Sequence, residues 1–452
     1  MKNLNIDWKN SSMADRPMHV LQVSTRDIGG GAERIAFNLF QAYRAKGHFS
    51  KLAVGFRHSD DEDVFSVPND DYRDADPPLR YMSGNMLLKG LGFLQSIVKK
   101  KRHSIRQKKI QKGYEDFEYP GTRQLLDHKA INPDIVHCHN LHGGYFDLRL
   151  IPWISKQVPL LLTLHDAWLL SGHCAHSFDC ERWQTGCGKC PDLTIYPAIR
   201  SDATTYNWRR KRKIYSRSRF YVVVPSQWLM NKVMESMLAQ SIVLARVIPN
   251  GVDLSVFKTA DQEKVRIALG LPREAVVLLF VANGIQNNVF KDYLTMRKAV
   301  ALVAARKHDH KLIFLALGAD APAEKIDEAE VQFIPYQKDP AVVAQYHQAA
   351  DIYIHASNAE VWGLTITEAL ACGTPVVVTS VGGIPEQVND GVTGFLTPPG
   401  DPEMMAFRIQ QLIDDVSLRE TMGRSAAADA KSRFNIDRMA DEYLNWYREI
   451  LK

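Results

Sequence analysis

Short runs of β-branched and aliphatic residues recur along the chain, separated by longer stretches in which apolar positions return every three or four residues. In the first half the runs are His19–Ser24, Leu52–Gly55, Asp134–His137, Leu160–Leu164 and Tyr221–Val224. In the second half they are Val276–Ala282, Leu312–Leu317, Val331–Ile334, Ile352–His355, Pro375–Thr379 and Gly394–Thr397. Several are continuously apolar rather than alternating, as expected of strands covered on both faces. Strands alternating with helices predict an α/β chain of parallel sheets layered with helices, and the same architecture is written twice. The turn Ile248-Pro249-Asn250-Gly251-Val252-Asp253, followed by the polar stretch Ser255–Arg273, places a junction near residue 255. The expected organisation is a polar tail over residues 1–17, a Rossmann-like domain over 18–254, a second over 255–436, and a closing helix over 437–452 whose apolar face is Met439, Tyr443, Trp446, Tyr447 and Ile450.

Composition adds a class. With 45% hydrophobic and 24% charged residues, the chain reads as globular with large cores. No apolar run approaches the roughly 18 residues of a membrane span. The polar start, Met1 to Arg16, lacks the apolar stretch of a secretory signal, so a cytoplasmic location is expected. The net charge of +5 is modest, but it is unevenly spread. Leu87, Leu91, Leu94 and Val98 recur at helical spacing, and eight cations follow between Lys99 and Lys112. Two readings fit this segment: a helix lying on the anionic inner membrane, or one packed on the core with solvated lysines. A second basic run, Arg209–Lys213, is either a site for phosphate or lipid or a solvated helix face. Nothing beside either run reads bases, so nucleic acid is not an expected partner.

Three places carry chemistry. The first run ends at Ser24 and leads through Gly29-Gly30-Gly31 into an amphipathic helix. Consecutive glycines permit positive φ and close approach of a ligand, and the helix behind them presents free N–H groups, which suits a diphosphate. The Gly-Lys-Ser/Thr ending of a P-loop and the Gly-x-Gly-x-x-Gly fingerprint are both absent. In the second half, Glu360 is expected on the loop after a strand, where parallel sheets bind ligands. Glu368, inside the following helix, is costly to bury unless something polar, such as a ribose, meets it. Lys291 follows the Val276–Ala282 run and is placed to neutralise a leaving diphosphate. His139 and His142 follow another strand end and are expected to touch substrate.

Together these residues resemble the retaining glycosyltransferases of family four. The matching pieces are Gly29 to Glu33, Thr163-Leu164-His165-Asp166, Pro225-Ser226, Ile248 to Asp253 with Phe257, Lys291, Glu360 to Glu368, Gly382 to Glu386, and Asp390 to Leu396. The resemblance is to the bacterial surface-polysaccharide type. It implies the GT-B fold, two Rossmann-like domains facing each other across a cleft, and transfer of a sugar from a UDP- or GDP-linked donor to a glycan or lipid-linked glycan with retention at the anomeric carbon. It implies catalytic roles for Glu360, His165 and Lys291. Lys291 and the backbone of Gly30 and Gly31 would hold the diphosphate, Glu368 the ribose, and Trp362, Gly363, Leu364 and Thr365 would complete the donor site. His139, His142 and Asp166 would lie on the acceptor side. Transfer in such enzymes needs no cofactor or metal. Asn283 stands in the donor site where many relatives have an arginine, and Arg297 is the candidate replacement.

Four of six cysteines, Cys174, Cys180, Cys187 and Cys190, fall within an insert over residues 171–193. Their spacing suits a tetrahedral four-sulfur structural zinc site, with His173 or His176 able to replace one ligand. Reduced unligated thiols and disulfides are the other readings. Two rival functions stay open: a sugar-nucleotide epimerase or inverting transferase on the same fold, and a degenerate transferase that only binds glycans.

Overall fold

The computed structural model describes residues 16–69, 101–127, 132–285, 288–306 and 310–452. The expected apolar stripe from Leu87 to Val98, together with Lys99, Lys100 and the tail before Arg16, lies outside the described residues.

The strands form two seven-stranded sheets. The first comprises β1 (His19–Arg26), β2 (Phe49–Phe56), β3 (Val64–Ser66), β4 (Ile135–Cys138), β5 (Leu160–Thr163), β6 (Phe220–Val224) and β7 (Ile242–Val247), in the order β3-β2-β1-β4-β5-β6-β7. The second comprises β8 (Val276–Val281), β9 (Leu312–Leu317), β10 (Glu324–Ile326), β11 (Ala329–Ile334), β12 (Ile352–His355), β13 (Val376–Thr379) and β14 (Gly394–Thr397), in the order β10-β11-β9-β8-β12-β13-β14. Pairings from β3 across to β6 are parallel. In the second sheet only β10, at the edge, pairs antiparallel.

The apolar runs form central strands because both faces are covered. All six residues of β9 are buried, as are all four of β4, β5, β12 and β13. Each such aliphatic side chain contributes roughly 1.5–3 kcal/mol. The strands absent from the sequence reading are short or peripheral. β3 and β10 have three residues each, and β7, at a sheet edge, is only partly covered along its length.

Contacts divide the chain into two compact units. One comprises residues 1–224, 230–246 and 444–452, the other residues 225–229 and 247–443. The helix Ile436–Ile450 contributes to both. In the first unit Trp446 sits edge-on to Tyr221, and Tyr447 Oη hydrogen-bonds His137 Nδ1 at 2.6 Å and Tyr43 Oη at 3.1 Å.

Candidate active site

The parallel register brings the carboxyl ends of β1, β4 and β5 to one edge of the first sheet, with Cys138 beside Val23 and Leu162. His139 leaves β4 there and is buried. Its Nδ1 lies 3.0 Å from His165 Nε2, with the two rings stacked. Gln22 holds the other nitrogen. With its amide turned to satisfy both ends, its nitrogen donates to His139 Nε2 and the Ala36 carbonyl while its oxygen accepts from Phe40 N. His139 then donates to His165 through Nδ1. Burial pushes the His165 imidazole down to about 4, so it is neutral at physiological pH.

His142 differs. Its Nε2 is 2.7 Å from Asp166 Oδ2, and Asp166 Oδ1 accepts from Trp168 N, which fixes the carboxylate. Burial opposes charge on this imidazole, but the charge and hydrogen bond of Asp166 outweigh it and raise His142 above its ordinary value. Partial burial opposes charge on Asp166 too, yet His142 and the Trp168 N–H hold it below the usual carboxylate range. His142 also meets Tyr196, edge-on, with Oη 3.4 Å from Nδ1. The structure thus joins His139 to His165 and His142 to Asp166 as two separate pairs.

The glycine-rich turn corrects one expectation. Gly30 caps the helix Gly31–Ala45 with φ −75°, and none of Gly29, Gly30 and Gly31 is in the left-handed region. A Cβ at Gly30 would stand 3.3 Å from Glu33 Oε2, the far end of a side chain, and would meet no backbone. The turn is held by buried Asp27, whose carboxylate accepts from the backbone N–H groups of Ile28, His58 and Ser59.

In the second unit, β12 ends at His355 and the chain turns through Glu360 into the helix Leu364–Ala371. A backbone bridge sets Lys291 opposite Ser357, and Asp292 N donates to the Ala356 carbonyl. This places Lys291 Nζ 2.5 Å from Glu360 Oε2, with the two side chains 14% and 17% exposed. The same ammonium lies 3.1 Å from His355 Nε2 and 3.4 Å from Ser357 Oγ. Gly382 packs on the Glu360 backbone and Gly383 on that of Val361. Gly382 has φ +59°, a Cβ on it would stand 1.8 Å from the Glu360 carbonyl oxygen, and Gly383 N donates to that oxygen. Gln387 pins the next turn, with its amide bonded to both N–H and C=O of Gly363.

Other expected donor residues lie where the chain has further uses for them. Glu368 is buried and faces His347, 3.7 Å away. Trp362 is buried edge-on against Phe434, Leu364 packs on the core, and Thr365 Oγ1 accepts from Tyr353 Oη. Asn283 is exposed on its turn, and Arg297 pairs with Glu324 at 3.5 Å.

The cysteine-rich insert does not form the expected metal site. Among the described residues no group of three or more His, Cys, Asp or Glu is gathered to hold an ion. The four thiols are free, and three of the sulfurs serve different partners: Cys187 accepts from Gly172 N, Cys190 lies 3.3 Å from His173 Nε2, and Cys180 is beside Arg182. Burial raises Cys174 to about 11 and Cys187 to about 12, so both are protonated thiols at neutral pH. The basic run Arg209–Lys213 is not simply a solvated patch. Lys211 is wholly buried, over the Trp168 ring, and donates to Glu115 and to the Trp168 and Ser171 carbonyls.

Residues 29–256 match the profile of Glycosyltransferase Family 4 and residues 261–429 that of Glycosyl transferases group 1, and the chain belongs to this glycosyltransferase family. It is 29% identical to the D-inositol 3-phosphate glycosyltransferase of Paenarthrobacter aurescens, over 72% of this chain and 78% of that protein. Several other enzymes of that name match over about half their length, including that of Saccharomonospora viridis at 35% identity, covering 46% of this chain and 50% of the relative. The Escherichia coli protein named for colanic acid biosynthesis, glycosyl transferase WcaC, is 24% identical over 96% of this chain and all of its own. Among solved structures, sucrose-phosphate synthase from Thermosynechococcus elongatus superposes with a TM-score of 0.61 at 18% identity, covering 96% of this chain and 99% of that one. Anabaena HepE, in complex with UDP-glucose, gives 0.58 at 20% identity, covering 95% of this chain and 100% of that one. With two Rossmann-like sheets, these likenesses put the fold in the GT-B class.

Proposed function

We propose that this glycosyltransferase moves a hexosyl unit from a UDP- or GDP-linked sugar to a glycan or lipid-linked glycan, with retention, in assembly of a surface polysaccharide. The observation that carries the reading is the meeting of Lys291 and Glu360 at the carboxyl end of the second sheet, where parallel α/β folds take ligands. The ammonium would meet the diphosphate as negative charge grows on it, and Glu360 the hydroxyls of the sugar. Glu368 would bind the ribose and the backbone at Gly30 and Gly31 would face the diphosphate. Neutral His165 would hydrogen-bond the donor sugar. His139 and the His142–Asp166 pair would lie on the acceptor side. No protein nucleophile or cofactor is required if the leaving phosphate takes the proton of the incoming hydroxyl. The UDP-glucose held by HepE and the polysaccharide role in the name of WcaC support the donor and the pathway.

The test is turnover with a panel of UDP- and GDP-sugars and lipid-linked acceptors, followed by NMR of the anomeric configuration. The reading expects a product with the donor's configuration, and at least roughly a hundredfold lower kcat for Lys291→Met. An inverted product would remove retention from the account. A sugar epimerised without acceptor would replace it with the rival enzyme.

A further inference from the structure

His355 closes β12 and is wholly buried, yet both its ring nitrogens are addressed. Nδ1 is 3.0 Å from Tyr353 Oη, which donates to Thr365 Oγ1 at 2.7 Å. Nε2 is 3.1 Å from Lys291 Nζ and 2.8 Å from Ser357 Oγ. An ammonium can only donate, so Nε2 must be the accepting nitrogen and Nδ1 must carry the ring proton. Nδ1–H then donates to Tyr353, and the phenol donates onward to Thr365. One tautomer satisfies the whole chain. Burial, reinforced by the Lys291 charge, keeps the ring neutral.

We infer that His355 is a positioning residue: a neutral acceptor that holds the Lys291 ammonium where the donor diphosphate binds, without cancelling its charge. The inference rests on the diphosphate role proposed for Lys291. An ammonium has three donors. Here they meet Glu360, Ser357 and His355. When a sugar engages Glu360, His355 and Ser357 retain the lysine and the third N–H turns to phosphate. A carboxylate in place of His355 would hold the lysine equally well but would neutralise the charge that the leaving group needs. The Tyr353–Thr365 pair fixes the tautomer from behind, much as an orienting partner does for a metal-bound histidine.

The test compares His355→Gln, whose amide reaches the Nε2 position, with His355→Asn, whose amide reaches only that of Nδ1. UDP and GDP are titrated calorimetrically against wild type and both variants, each alongside its nucleoside, and kcat and KM are measured with the matching sugar. Loss of one charge-assisted hydrogen bond predicts at least roughly tenfold weaker nucleoside diphosphate binding and lower kcat/KM for H355N, with nucleoside affinity unchanged. H355Q should stay within about threefold of wild type on the same grounds. If H355N does not fold, His355→Leu, which offers no acceptor, takes its place. Equal behaviour of the two amide variants, or a fall in nucleoside affinity in step with the diphosphate, would overturn the inference. A wild type that binds neither UDP nor GDP would overturn the underlying reading of the site, and the inference with it.

Discussion

The His142–Asp166 pair shows how two neighbouring histidines receive opposite properties. His165 is neutral because burial is the larger influence on it, whereas His142 is favoured as a cation because Asp166 outweighs burial. Since His142 binds its proton more tightly folded than unfolded, its stabilisation is complete below 6.5 and fades as pH rises through the raised value. Asp166 behaves oppositely, contributing above 3.8 and losing its contribution as pH falls through its lowered value. The pair therefore supports the fold best between these limits. Asp166→Asn should lower Tm most near about pH 5.5, with the gap to wild type narrowing under alkaline conditions as His142 loses its proton. A gap independent of pH in thermal scans would contradict this. At this scale the sequence was legible in part. Glu360 and Lys291 stood out by position, but His355 looked like an ordinary strand end, because its significance lies in a lysine sixty-four positions away in the chain.

Elements position these side chains through contacts that are mostly backbone. Glu360 is held by Gly382 and Gly383, where any Cβ would collide with main chain. Gly383→Ala is expected to fold with about 1–3 kcal/mol less stability and to lose most activity, because its Cβ would stand 2.1 Å from the Val361 carbonyl oxygen and relief of that clash shifts the loop that carries Glu360. Denaturant unfolding and kcat measured together check this, and an active variant would show that the loop tolerates movement. The helix Thr204–Tyr215 plays the same part for the insert. Lys211→Met removes one partner of a buried ion pair and leaves Glu115 and two carbonyls without their donor, so about 3–5 kcal/mol should be lost in urea unfolding. A loss under about 1 kcal/mol would mean that water replaces the lysine. A run of five cations gives no hint of this, since only the helical phase and the packing of Trp168 decide which member turns inward. The cysteine insert reads as a metal site because spacing fixes how far thiols can reach, whereas whether three or more gather as ligands is decided only in the folded loop, where among the described residues none do.

At the level of the whole molecule, two sheets of the same design were readable because buried parallel strands leave continuous apolar runs. Edge strands such as β7 and β10 were not, because partial exposure or brevity leaves little pattern. Among the described residues no helix is long and apolar enough to cross a membrane. The helical residues 101–111 nevertheless expose Lys101, Arg102, Lys108, Lys109 and Ile105, the cationic surface that one of the two readings of this basic run would lay on an anionic membrane. Flotation with vesicles containing anionic lipid should recover the protein at low salt, and Lys108→Glu with Lys112→Glu should reduce recovery severalfold, at roughly 1 kcal/mol per charge near the surface. Equal recovery of the double variant would remove this face from the account. The central claim is that the carboxylate and cation gathered at the end of β12 receive an activated sugar. A crystal structure of the protein soaked with the UDP- or GDP-sugar it turns over tests that most directly. The account predicts diphosphate oxygens within hydrogen-bond distance of Lys291 Nζ and a sugar hydroxyl on Glu360. A donor bound with both side chains still paired only to each other would contradict it.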